Sequence, residues 1–315
     1  LTPHRSRVLA LAILPLLLAS SPARGVSPKY WIHDTADEWL EGEAENISVT
    51  GDGSLVLAPS IEVLAEPEVP YLWDLAVGNG EIFLGTGDGG WVLRAHDGKT
   101  EQYFQCAALE VLSIARGKDG SLWAGTAPDG FIYRVDGPGQ GEILADLDEA
   151  YVWDLLQGPD GMLYAAAGPR AVVYRIDPKS GKADRFVEIE DNHAVCLGFD
   201  DEGRLLLGTE GRGLVVRVEK DGRPHVLHDS PQGEVSAVMA GEGGVVWAAA
   251  AAPTESRENA SPDSNGDGTG LESDDEIEYS FEFTPPGAGD GVLYRIDADG
   301  NAVRAWESGQ GTIFG

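Results

Sequence analysis

Two aspartates in one repeated context, Trp73-Asp74 and Trp153-Asp154, and a histidine opening a similar segment, His193, are the side chains best suited to acid–base chemistry. Two carboxylates held near one axis can share a proton or hold a cation, and a neighbouring imidazole can act as a general base. A second set lies in DSNGDGTGLESD, from Asp263 to Asp274. Its oxygen donors Asp263, Asn265, Asp267 and Asp274, the backbone carbonyl of Thr269 and the sharp-turn Gly268 fall at the spacing of a calcium loop of the EF-hand or dockerin type. Against calcium, Gly270 stands where an apolar residue is usual, Asp274 replaces the bidentate Glu, and no helical pattern flanks the loop. A solvated acidic loop is the favoured reading. His225 and His228 are three apart in PHVLH, and strand alternation puts such positions on opposite faces, so they make no metal pair.

The composition narrows what these groups can serve. The chain has 315 residues with 53 Asp plus Glu against 22 Lys plus Arg, a formal net charge of −31, which argues against nucleic acid or anionic lipid as a partner. Hydrophobic content of 42% and aromatic content of 8% suit a folded chain, and 42 glycines ask for many tight turns. Arg5 and Arg7 precede an apolar run from Val8 to Ala19 and then small residues, the pattern of a secretory signal peptide over 1–23, cut after Ala23 or after Ser21. The run falls short of the ~20 apolar residues that span a bilayer. The expected compartment is therefore periplasmic or extracellular, with no membrane insertion beyond the signal. Cys106 and Cys196 are too few for a disulfide scaffold and are read as free, buried thiols.

The elements that position the candidates come from a repeat. Five segments, starting near 71, 110, 151, 193 and 235, share an apolar strand, a Gly/Asp turn, a second apolar strand with an aromatic and then small residues, a loop, and a strand ending in Arg. Turn glycines at Gly80, Gly120, Gly161, Gly203 and Gly244 are spaced 40, 41, 42 and 41 apart. Strand-end arginines at Arg94, Arg134, Arg175 and Arg217 keep the same register, and the next, Arg295, follows only after an acidic insertion over 253–290. Four short apolar runs per unit match one four-stranded propeller blade, so the expected fold is an all-β propeller. Phe83, Trp123, Tyr164, Leu206 and Trp247 share one position between blades, with Gly85, Gly125, Ala166, Gly208 and Ala249 two residues on for close sheet approach. Tyr133, Tyr174 and Tyr294 anchor the third strand with a polar tip. In this register Asp74, Ser113, Asp154, Cys196 and Ala237 are equivalent positions on the innermost strands.

The segment DGSLWAGTAPDGFIYRVD, from Asp119, resembles the repeat of the two-component-regulator propellers, and more loosely the NHL and streptogramin-lyase-type propellers. The resemblance implies the fold and leaves the chemistry open. Lyase-type propellers need a general-base His with acidic support and a metal, and only His193 sits suitably for that role. After a lead-in over 24–45, the segment from Asn46 to Glu66 looks like the third and outer strands of a further blade. The propeller is thus expected over 46–315, cut short at 315, with at least six blades in the whole ring and seven as an alternative. Each aspartate can equally cap backbone amides, and no complete catalytic set surrounds them. The expected function is a non-enzymatic binding or scaffold propeller for a protein, peptide or glycan, without a cofactor apart from the calcium alternative. The competing readings are a hydrolase or lyase using His193 with Asp74 or Asp154, and a sensor ectodomain of a longer signalling protein.

Overall fold

The computed structural model describes residues 45–307 apart from 51, 61, 79 and 252–290, together with Trp39. The chain divides into two compact units, 1–62 and 63–315. Within the first, β1 (Ile47–Val49) and β2 (Leu55–Leu57) form an antiparallel hairpin pairing Ile47 with Leu57 and Val49 with Leu55. Its turn is closed by the Thr50 and Gly53 amides, the same bond pair that closes the turns at Gly120, Gly161 and Gly203.

The described residues of the second unit form five four-stranded antiparallel blades. Blade 1 comprises β3 (Leu72–Gly78), β4 (Glu81–Thr86), β5 (Trp91–His96) and β6 (Lys99–Gln105). Blade 2 comprises β7 (Glu110–Arg116), β8 (Leu122–Ala127), β9 (Phe131–Gly137) and β10 (Gln140–Asp146). Blade 3 comprises β11 (Tyr151–Gln157), β12 (Leu163–Gly168), β13 (Ala171–Ile176) and β14 (Ala183–Ile189). Blade 4 comprises β15 (His193–Phe199), β16 (Leu205–Glu210), β17 (Leu214–Val218) and β18 (Pro224–Asp229). Blade 5 comprises β19 (Glu234–Ala240), β20 (Val246–Ala251), β21 (Val292–Ile296) and β22 (Ala302–Glu307). A single pair, Glu210 with Glu234, joins the sheets of blades 4 and 5. The turn glycines of the repeat adopt positive φ, from 72° at Gly203 to 91° at Gly120, the region an L side chain avoids.

The core is a series of seams between consecutive blades. Trp123, Ile132 and Leu147 of blade 2 pack on Val152, Leu163 and Ile176 of blade 3, and equivalent clusters fill the other three seams. The seam position before the bulge is 0% exposed at Val111, Val152, Ala194 and Val235, but Leu72 of blade 1 is 45% exposed. Blade 1 therefore starts the described series of seams. The tyrosine anchors behave as read from the sequence. Tyr133 Oη accepts the Ala107 amide, Tyr174 Oη bonds Glu149, and Tyr294 Oη bonds Gln232. Cys106 and Cys196 are both free and buried.

One expectation is corrected. A register shift in β18 pairs His225 with Arg217 and His228 with Val215, so the bulge resets the alternation and both histidines face the same side of the sheet. His228 packs on the Tyr294 ring at 4.4 Å, while His225 stays exposed.

Candidate functional site

Each of the five described innermost strands opens with the same defect. Register shifts fall between Leu72 and Asp74, Val111 and Ser113, Val152 and Asp154, Ala194 and Cys196, and Val235 and Ala237. The extra residue of a bulge drops out of the ladder and leaves backbone groups near it without their regular partner. In blades 1 to 4 the residue after the bulge reaches the next blade and supplies one, whereas Ala237 of blade 5 has no polar side chain to do so. Asp74 Oδ2 accepts the Ile114 amide at 2.7 Å, and Asp154 Oδ2 accepts the Leu197 amide at 2.7 Å. Ser113 Oγ donates to the Val152 carbonyl at 2.9 Å, and Cys196 Sγ donates to the Val235 carbonyl at 3.2 Å. A carboxylate can only accept and so takes an N–H, whereas a hydroxyl or thiol can donate and takes a C=O. Acceptor and donor latches thus alternate around the axis.

The small residues of β8 and β16 make room for these latches. A Cβ on Gly125 would lie 2.4 Å from Ser113 Oγ, and one on Gly208 would lie 2.4 Å from Cys196 Sγ. Desolvation at the seams shifts the acids. Burial raises the Asp74 carboxyl above its ordinary range against two backbone hydrogen bonds. Burial, reinforced by the charge of Asp74, pushes Asp154 up to about 7 although the Leu197 amide pulls the other way.

His193 sits at the mouth formed by the starts of the inner strands, but not as a free base. Its Nδ1 accepts the indole N–H of Trp153 at 2.9 Å, which puts the ring proton on Nε2 when the imidazole is neutral. The Trp153 and His193 rings meet edge-on at 5.5 Å, and Tyr151 stacks on Trp153 at 5.1 Å. Blade 1 repeats the pair, with Tyr71 stacked on Trp73 at 6.1 Å. Both clusters face a glycine at one equivalent position. A Cβ on Gly168 would lie 2.0 Å from His193 Nδ1, and one on Gly87 would lie 2.6 Å from Trp73 Nε1. The sequence reading missed these two rim clusters. The signal was present in YLWDL and YVWDL together with Gly87 and Gly168.

Asp74 and Asp154 are brought near enough to feel each other's charge, yet each serves a different seam. The calcium-loop residues Asp263, Asn265, Asp267, Thr269 and Asp274 lie outside the described residues. Among the described residues no group of three or more His, Cys, Asp or Glu side chains is arranged to hold a metal ion.

Four-stranded antiparallel blades in sequence order, joined through their inner strands, define a β-propeller repeat protein. Solved structures of the same fold include virginiamycin B lyase from Staphylococcus aureus, with a TM-score of 0.57 at 14% identity over 82% of this chain and 76% of that one. A hydrazine synthase chain from Kuenenia stuttgartiensis gives 0.54 at 14% identity over 76% of this chain and 67% of that one. A chain of a nidogen/laminin complex gives 0.52 at 12% identity over 75% and 79%. At such identities the likeness is one of fold. No family model and no curated protein matches the chain.

Proposed function

We propose that this chain is a non-enzymatic, exported binding propeller that engages a protein, peptide or glycan through the channel mouth where its inner strands begin. The observation that carries this reading is the division of labour among the inner-strand residues. Asp74 and Asp154 are engaged on backbone amides, and the lone-pair nitrogen of neutral His193 on an indole, so the groups suited to acid–base work hold structure. At the same mouth Tyr71 and Trp73 are 41% and 38% exposed and stacked, and paired aromatic faces of this kind serve as contact anchors. Export rests on the signal-type pattern over 1–23.

The fold neighbours include a lyase and a chain from a protein complex, and one fold hosts both classes, so the site has to decide. The test is selection on the purified protein from a displayed random-peptide library and an immobilised glycan set. Ligands whose binding falls at least tenfold in Trp73→Ala or Trp153→Phe are expected. Ligands indifferent to both changes would move the recognition surface elsewhere and overturn the reading.

A further inference from the structure

The charged residues of the propeller are segregated between its two faces. All five lysines among the described residues, Lys99, Lys118, Lys179, Lys182 and Lys220, lie at hairpin turns on the face opposite the mouth. The turns of the mouth face carry Asp88, Asp129 and Glu190, β16 ends there in Glu210, and the first inner-strand position adds Glu110 in blade 2 and Glu234 in blade 5. Among the described residues the basic side chains in those turns are Arg170 and Arg212, and each is taken. Arg170 pairs with the buried Glu149 at 2.5 Å, and Arg212 pairs with Asp229 at 2.9 Å. Among the described residues, the face that bears the exposed Tyr71–Trp73 pair is thus one of nearly uncompensated negative charge.

Glu110 stands at the first position of the inner strand between the two aromatic clusters, since β7 packs against both β3 and β11. Burial, then the charge of Asp88, raises its carboxyl above the ordinary range. Burial, then Glu210, does the same to Glu234. Such carboxyls gain when a cation arrives, because the opposite charge favours their ionised form. Indole and phenol faces attract the same ligand through their quadrupole, and an ammonium or guanidinium head carries an aliphatic stem that covers apolar ring surface.

The precedent is inside the molecule. Arg116 lies over the Phe83 ring at 4.8 Å while pairing with Glu81 at 3.0 Å, so this chain already seats a guanidinium between an aromatic face and a carboxylate.

We infer that the mouth binds a basic peptide segment, with a Lys or Arg side chain seated against the Tyr71–Trp73 pair and Glu110. This deepens the proposed binding role and rests on it, adding the charge class of the occupant.

The probe is a fluorescein-labelled acetyl-heptalysine amide, compared by fluorescence anisotropy with the same peptide fully Nε-acetylated. Saturable binding of heptalysine is expected, at least tenfold weaker in Trp73→Ala and in Glu110→Gln. Asp299→Asn, which removes one exposed charge from the opposite face, is expected to leave it within about twofold. Equal affinity across all three variants would mean attraction to bulk charge and would overturn the inference. Equal binding of the acetylated peptide would overturn the cation while leaving the aromatic mouth as a peptide site. Binding of neither peptide would also overturn the inference, and the library selection above then judges the binding role on its own.

Discussion

The indole of Trp153 donates to Nδ1 of His193 across 2.9 Å, joining the inner strands of blades 3 and 4 through two side chains forty residues apart. Because that nitrogen accepts, neutral His193 carries its proton on Nε2 and has no lone pair to offer a substrate. Trp153→Phe keeps a ring in the stack and removes the donor, so nitrogen NMR of the imidazole should report a mixture of tautomers in place of the Nε2–H form. Stability should fall by about 1 kcal/mol, the worth of one ordinary hydrogen bond. An unchanged imidazole spectrum would show that the bond does not set the tautomer.

Gly168 tests the same cluster from the other side. Its added Cβ would fall 2.0 Å from His193 Nδ1, closer than any real contact. Gly168→Ala should therefore cost roughly 1–3 kcal/mol in urea denaturation, the usual range for overpacking. Gly137→Ala is the control, because nothing lies within 4 Å of a Cβ there. Equal losses in the two variants would sink the steric argument.

Asp154 gives a pH dependence of defined sign. Its ordinary value is 3.8 and the folded value is about 7, so between these the native chain holds a proton that the unfolded chain has released. Stability contributed by this group therefore falls as pH rises through that window and levels off above it, at no more than about 1.4 kcal/mol per pH unit. Asp154→Asn keeps a carbonyl oxygen for the Leu197 amide and cannot ionise. The difference in stability between variant and wild type should grow in the variant's favour from pH 4 to 7 and then stay flat. Parallel profiles would show that the carboxyl titrates normally.

Much of this architecture was legible in the sequence, and the reasons are local. The turn glycines need positive φ, the tyrosines need a partner for their hydroxyls, and small residues mark where strands approach, so one repeat register exposes all three. The bulges were not legible, because they add a residue to the inner strand without changing its apolar pattern. They decide which way Asp74, Ser113, Asp154 and Cys196 reach, and a further bulge turns His225 and His228 onto one face. The Asp, Ser, Asp, Cys series at one repeat position was nonetheless a readable hint, since its members alternate between acceptors and donors. The Trp153–His193 bond was beyond reach, as it joins a bulged residue to the first residue of the next blade.

The two thiols should be inert in the native protein. Burial pushes the Cys106 thiol up to about 12, and it raises Cys196 well above the ordinary value while that sulfur bonds the Val235 carbonyl. Thiolate is the reactive form, so a thiol-exchange reagent at pH 8 should release no colour from folded protein and two equivalents after denaturation. Rapid reaction of one equivalent in the native state would show that a seam opens readily.

Arg116 clamps blades 1 and 2 by three means at once, and they can be separated. Its guanidinium covers Phe83 at 4.8 Å, pairs with Glu81 at 3.0 Å, and its side chain lies where a Cβ on Gly78 would come within 2.7 Å. The Arg116 side chain is only 10% exposed against 34% for Glu81, so the pair is screened less than an open surface bridge. Arg116→Lys keeps the charge and loses the plane and the fork, at a cost of about 1 kcal/mol. Arg116→Ala also loses the packed stem and leaves Glu81 with Arg94 as its remaining arginine partner, at roughly 2 kcal/mol. Paired with Glu81→Gln in a double-mutant cycle, Arg116→Ala should show a coupling of at least about 0.5 kcal/mol. Losses under about 0.5 kcal/mol in both single variants would place Arg116 with ordinary surface residues and leave the blade 1–2 seam to Phe83, Val111 and Ile114.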